Sequence, residues 1–218
     1  TDVDGNYSLT IDDYVGPMIV EVTAGPLTKM VCDLIDGCGD AMFGQDMSLT
    51  DEFIMKAVMS GFSDKQTVTA NVTALTHLAA ALAESADTFD SVSVAEANSQ
   101  VSALFNITAN LIEIDTFAIT DYDAMRKAKV KAKEAAILNS ALLSAALKDS
   151  QQGTSIAEAM GSLTDEFTKN KGQFFLNLAE GMPSVSIVEI YEQASLIIDD
   201  NIFAEFDLGA SKTAMALM

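Results

Sequence analysis

Near residue 73 the spacing of apolar residues changes from two to between three and four, and this change limits the possible folds more than any other feature. Tyr7, Leu9 and Ile11 alternate within "YSLTI", "PMIVEV" (Pro17 to Val22) is a short β-branched run, and "TVTANVT" (Thr67 to Thr73) alternates again. Such alternation places one face of an extended strand against a core. "EFIMKAVM" (Glu52 to Met59) fits helix or strand equally by periodicity alone. From Ala74 the pattern turns helical, with Leu75, Leu78 and Leu82 in an Ala-rich run. The expectation is an α+β chain: a partial antiparallel β-domain over residues 1–72, packed directly on an all-helical bundle over 73–218.

Later helices mark their own starts. Ser93 with Glu96, Ser155 with Glu158 and Ser186 with Glu189 each fit a capping box, in which the hydroxyl accepts from a free backbone N–H and the Glu reaches back. The longest helix is expected over about Tyr122 to Lys148, with Met125, Ala128, Ala132, Ala135, Leu142, Leu143 and Ala146 as its buried stripe. Phe167, Phe174, Phe175, Leu176 and Leu178 are expected near the core, with Gly172 as a break. A strong helix over "SIVEIYEQASLIIDDNIF" follows, and the tail to Met218 adds a short one.

Composition limits the partners. A hydrophobic share of 49% supplies a core, and no run of about 18 apolar residues is present to span a membrane. The formal charge of -20 would be repelled by nucleic-acid phosphates and suits a solvated surface outside the cell.

Cys32 and Cys38 have five residues between them, with Gly37 and Gly39 beside the second. This suits a small disulfide-closed loop, worth about 2 kcal/mol in the chain-entropy model. Two free thiols or a metal pair are the alternatives, but a zinc site needs four ligands and the single His77 sits elsewhere. A disulfide places the protein in an oxidising compartment, and without a signal peptide the chain reads as mature or trimmed.

The candidate sites are sparse. Arg126, Lys127, Lys129, Lys131 and Lys133 crowd one stretch and would form an anion or polysaccharide-carboxylate patch; their simpler reading is a solvated helix face. His77, flanked by leucines, reads as a satisfied boundary histidine rather than a ligand. Asp2, Asp4 and Asn6 suggest a calcium loop, although Gly5 falls off the EF-hand position and a turn explains them more simply. Asp12 with Asp13 and Asp199 with Asp200 are acidic pairs whose spacing fixes no geometry. No nucleophile elbow or phosphate-cradling loop is present, so no catalytic residue and no other cofactor is assigned. Asn6, Asn71 and Asn106 fit the glycosylation sequon, which matters in a eukaryotic secretory setting.

"TDVDGNYSLTIDDYVGPMIVEVT" resembles the second half of a carboxypeptidase-regulatory-like domain, the transthyretin- or CnaB-type β-sandwich of secreted and surface-anchored bacterial proteins. Thr1, Asp2, Gly5, Asn6, Tyr7 and Leu9 match in a hairpin, and Gly16, Pro17, Val20, Glu21 and Val22 in the next strand. "MVCDLIDGCG", "EFIMKAV", "TANVTALTHLAAALAES" and "VSVAEANSQVSALFNIT" are similar to segments of uncharacterised exported bacterial surface proteins and lipoproteins. The resemblance implies that "EFIMKAVM" is a strand, that the first strands of the sandwich are missing, and that the location is periplasmic, outer-surface or extracellular. Trimming is the preferred reason for the missing strands; pairing with another subunit is the alternative. It carries over no catalytic residues.

The leading functional expectation is a non-enzymatic, exported structural, adhesive or binding module with a glycan or cell-surface partner. The alternatives are a helical domain holding a lipid or glycan, and a polysaccharide-acting enzyme that uses paired carboxylates.

Overall fold

A computed structural model describes residues 2, 5–63, 67–149, 154–175, 185–203, 206 and 208. Among the described residues the class is mixed: six helices and two antiparallel sheets of two strands each. β1 (Gly16–Thr23) pairs with β4 (Ile54–Phe62), and β2 (Lys29–Val31) pairs with β3 (Asp46–Ser48). The helices are α1 (Ala74–Glu84), α2 (Ser91–Leu104), α3 (Tyr122–Lys127), α4 (Val130–Asp149), α5 (Ile156–Lys169) and α6 (Ile187–Asp199). The described strands form two separate pairs and do not by themselves make a sandwich.

The β1–β4 register sets Ile19 opposite Val58, Val20 opposite Ala57 and Glu21 opposite Lys56. Side chains alternate across a strand, so the pair presents two faces. Ile19 and Val58 lie against Ala80, Ala83, Val94 and Ala97 of α1 and α2, where small side chains let the helices come close. Val20, Ala57 and Met59 form the other face and are covered by Val68, Ala70, Val72 and Ile112.

That second layer corrects the strand expected at Thr67–Thr73. Among the described residues the segment joins no ladder. Its alternation reflects Val68, Ala70 and Val72 reaching down onto the sheet, while the Asn71 N–H donates to the Ile112 carbonyl at 2.8 Å. Tyr7–Ile11 is likewise not a strand: Leu9 is exposed, and no described strand lies beside the segment. The Tyr7 hydroxyl donates to the Ala70 carbonyl, fixing this stretch over the covering layer. Before it, the Asp2 N–H donates to the Asn6 carbonyl at 2.9 Å and the Gly5 N–H to the Asp2 carbonyl at 3.2 Å, while residues 3 and 4 of the expected turn lie outside the described residues.

The expected helix over Tyr122 to Lys148 is two helices. Ala128 takes an extended ψ of 144°, which ends α3, and α4 begins at Val130. A continuous helix would stack Lys127 over Lys131 and Lys129 over Lys133, like-charge pairs that destabilise a helix, and the break separates the first of them. The small-residue stripe is buried as expected, with Ala132, Ala135, Leu142 and Ala146 inside and Ala128 partly so.

Ser155 and Glu158 form a capping box on α5, and the Ser186 hydroxyl accepts from the Glu189 N–H to start α6. The third assignment is corrected: the N-cap of α2 is Asp90, whose carboxylate accepts from the Val92 and Ser93 N–H groups, and Ser93 serves as the N3 partner. Charge lets Asp90 accept two such bonds more strongly than a hydroxyl would.

Phe167 is fully buried and Phe174 partly so, whereas Phe175 is exposed; Leu176, Leu178 and the expected C-terminal helix lie outside the described residues. α5 ends at the C-cap Asn170, followed by Lys171 at φ 55° and Gly172 at φ +75°, where a Cβ on Gly172 would sit 2.5 Å from Gln100 Nε2. That close approach lets Gln100 donate to the Lys171 and Gly172 carbonyls at 2.7 and 3.0 Å, tying the end of α5 to α2. One core cluster contains Cys32, Leu34, Cys38 and Met55 together with residues of α1, α4, α5 and α6, so burial is continuous across residue 73.

Candidate functional site

Two places gather the chemistry-bearing side chains. The first is the junction of β4 with α1. Lys56 lies on the helix-facing side of the sheet, and its backbone is held at both ends: its N–H donates to His77 Nδ1 at 3.1 Å, and its carbonyl accepts from the Thr76 hydroxyl at 3.2 Å. Two residues along, the Val58 carbonyl accepts from Asn98 Nδ2 at 3.1 Å. These backbone groups lie on the edge of β4 away from β1, so side chains of α1 and α2 cap an edge that would otherwise invite another strand.

The Lys56 ammonium then joins Glu84, at 2.9 and 3.0 Å to the two carboxylate oxygens, and Glu21 at 3.4 Å. Burial works against the Lys56 charge, but the bonds and charges of Glu84 and then Glu21 outweigh it and raise its pKa. Burial lowers the pKa of His77, and the nearby Lys56 cation lowers it further against a weaker pull from Glu84. Because Nδ1 accepts the Lys56 N–H, the neutral ring carries its proton on Nε2. Charging the ring would put a hydrogen on Nδ1 and break that bond. His77 is thus the satisfied boundary histidine expected from its leucine neighbours, employed as a backbone clamp.

The second place is the disulfide loop. Cys32 and Cys38 are bonded, with their Cα atoms 5.8 Å apart and both residues buried. The loop packs on α4, where the Ser140 hydroxyl donates to the Asp33 carbonyl at 2.7 Å. Asp33 itself is only half-buried as a residue, yet its Oδ1 is shut away from solvent and has no hydrogen-bond partner. Burial pushes the Asp33 carboxyl up to about 6, partly offset by its own backbone N–H.

Beside this loop is a cavity of about 110 Å³, lined among others by Cys38, Met47, Ser48, Thr50, Phe53 and Leu147, with the start of α5 at one side. It is well below the roughly 300–1,000 Å³ in which drug-sized ligands bind.

The remaining candidates do not converge. Arg126 pairs with Asp123 at 3.0 Å and lies over the Phe206 ring; Lys127 and Lys129 are exposed; Lys131 pairs with Glu134 at 3.0 Å; Lys133 is buried on α4. The α3–α4 break therefore distributes the five basic side chains over two helices and their junction instead of one continuous face. Asp2 spends both carboxylate oxygens on Asn6, at 2.8 and 3.2 Å, and Asp4 lies outside the described residues. Among the described residues no group of three or more His, Cys, Asp or Glu side chains is arranged to hold a metal.

Two features escaped the sequence reading. The Glu21–Lys56–Glu84 cluster depends on strand register, which no local pattern reveals. Asp33 did leave a signal, an acid inside the apolar run "MVCDLI" next to a cysteine. No helix is long and apolar enough to cross a membrane among the described residues. Compared with protein-family models, with curated proteins and with solved structures, the chain matches none.

Proposed function

We propose that this chain is a non-enzymatic module of an exported cell-surface or extracellular protein, acting as a structural, adhesive or binding element. The observation that carries this reading is the buried Cys32–Cys38 bond, which staples an irregular loop to the helical bundle. Such bonds persist in oxidising compartments and are rare in the cytosol. The -20 charge supports it by favouring solubility at an exposed surface. The only histidine supports the non-enzymatic part, because its Nδ1 is already engaged by the Lys56 backbone. The 110 Å³ cavity gives little support to a bound lipid.

The kinship with a carboxypeptidase-regulatory-like sandwich is part of the proposal. Its support is the antiparallel β1–β4 pair, which lies where the resemblance expects strands. Since α1 and α2 cap the outer edge of β4, any further strand would have to add to β1.

Peptide mapping of the protein recovered from its own cells, with and without reductant, tests the location. The expected result is a linked Cys32–Cys38 peptide; free thiols on both would sink the export reading. A polysaccharide hydrolysis screen tests the rest, and turnover abolished by Asp33→Asn would replace the module with an enzyme.

A further inference from the structure

Three asparagines carry the sequon for N-linked glycosylation, and their surroundings differ. Asn71 is partly buried and its amide donates to the Ile114 carbonyl at 2.7 Å, so a sugar on that nitrogen would intrude on a packed contact. The Asn6 amide donates to the Asp2 carboxylate at 3.2 Å. Asn106 is exposed, and no hydrogen bond of its side chain is described.

Asn106 follows the C-cap of α2 with φ 51°. Its N–H donates to the Ala103 carbonyl at 3.2 Å, and the Ile107 N–H donates to the Ser102 carbonyl at 2.7 Å. These two bonds make a Schellman closure, whose left-handed position asparagine tolerates better than most residues. Backbone geometry therefore accounts for Asn106. It does not account for Thr108, which is exposed and enters no described hydrogen bond, while Ile107 between them is buried as an anchor.

We propose that Asn106 is the acceptor of an N-linked glycan, in a cell whose export route carries an oligosaccharyltransferase and a lipid-linked oligosaccharide. The inference rests on the export reading. In the transfer, Asn106 Nδ2 bonds to C1 of the first sugar as the C1–O bond to the lipid phosphate breaks. The bonding pair leaves with the phosphate, and one amide proton goes to the transferase's base. Thr108 supplies the hydroxyl of the sequon. In the folded chain the glycan stands in solvent at the end of α2, away from the core that Phe105 and Ile107 enter.

The test is peptide mapping of the full chain from its own cells, before and after enzymatic glycan release, with the Cys32–Cys38 linkage read in the same digest. A glycan is expected at Asn106 and none at Asn71. An unmodified Asn106 beside an intact disulfide overturns this site and leaves export standing. An unmodified Asn106 beside free thiols overturns both. Thr108→Ala should abolish the modification with no change in melting temperature, while Thr108→Ser retains it. A glycan that persists in Thr108→Ala, or one confined to Asn71, also refutes the proposal.

Discussion

The β1–β4 sheet pairs strands of 8 and 9 residues, whereas β2–β3 pairs 3 with 3, and the two are secured by different means. The long pair is buried on both faces, by α1 and α2 on one and by residues 68–72 with Ile112 on the other. Its outer edge is closed by Thr76, His77 and Asn98. The short pair has too few ladder bonds to stand alone. It leads into a loop closed covalently at Cys32 and Cys38 and tied to α4 through Ser140. Burial and side-chain caps suffice where a strand is long enough to present two apolar faces; a staple takes over where it is not.

The largest effect expected concerns the buried carboxyl on the short side. The neutral form of Asp33 is favoured in the fold, because its carboxyl lies at about 6 against an ordinary 3.8. Its stabilising contribution is complete below about pH 4 and is lost as pH rises through 6, a swing on the order of 2–3 kcal/mol. Asp33→Asn should flatten that slope in denaturant titrations between pH 4 and 7. An unchanged slope would mean that the carboxylate finds solvent.

Next comes the staple. Replacing Cys32 and Cys38 together by Ser should cost about 2 kcal/mol or somewhat more. Hydrogen exchange should quicken in residues 29–48 while β1 and β4 keep their protection. Equal loss in both sheets would show that they form one cooperative unit and break the contrast.

The clamp on the long sheet is smaller. Thr76→Val is close in shape, but it leaves the Lys56 carbonyl and the Thr73 N–H without the Thr76 hydroxyl, at a cost of about 1–2 kcal/mol. His77 adds a pH signature. Its folded pKa lies below 6.5, so its contribution is present above that pH and is lost as pH falls further. This trend opposes that of Asp33, and a His77→Gln variant should remove it. Smallest of all is Lys29 with Asp46, 3.8 Å apart and each about 60% exposed; Lys29→Ala should change stability by less than about 0.5 kcal/mol.

How much of this could be read beforehand depends on the residue. Pro17–Val22, the helix from Ala74, the α5 box at Ser155 and the disulfide are local matters of spacing and cap chemistry, and they stand. Thr67–Thr73 and Tyr7–Ile11 alternate without pairing into the described sheets, because alternation tells which side chains turn inward, not whether a neighbouring backbone completes a ladder. Asp90 and Ser93 can both cap, and Asp90 heads α2 because its carboxylate takes the Val92 and Ser93 N–H groups, three residues before the start that the Ser93–Glu96 spacing suggests.

By itself the amino-acid sequence determined the order of extended and helical segments, the loop that Cys32 and Cys38 close, and the starts of α5 and α6. Each depends on groups within a few residues of one another, where torsional preference and short-range hydrogen bonds decide. Only the tertiary structure decided that residues 67–73 roof a sheet without joining it, that Lys56 meets Glu21, Glu84 and His77, and that an Asp33 carboxyl oxygen is shut away without a partner. Those outcomes depend on which distant surfaces exclude water together, and that is settled by packing of the whole chain.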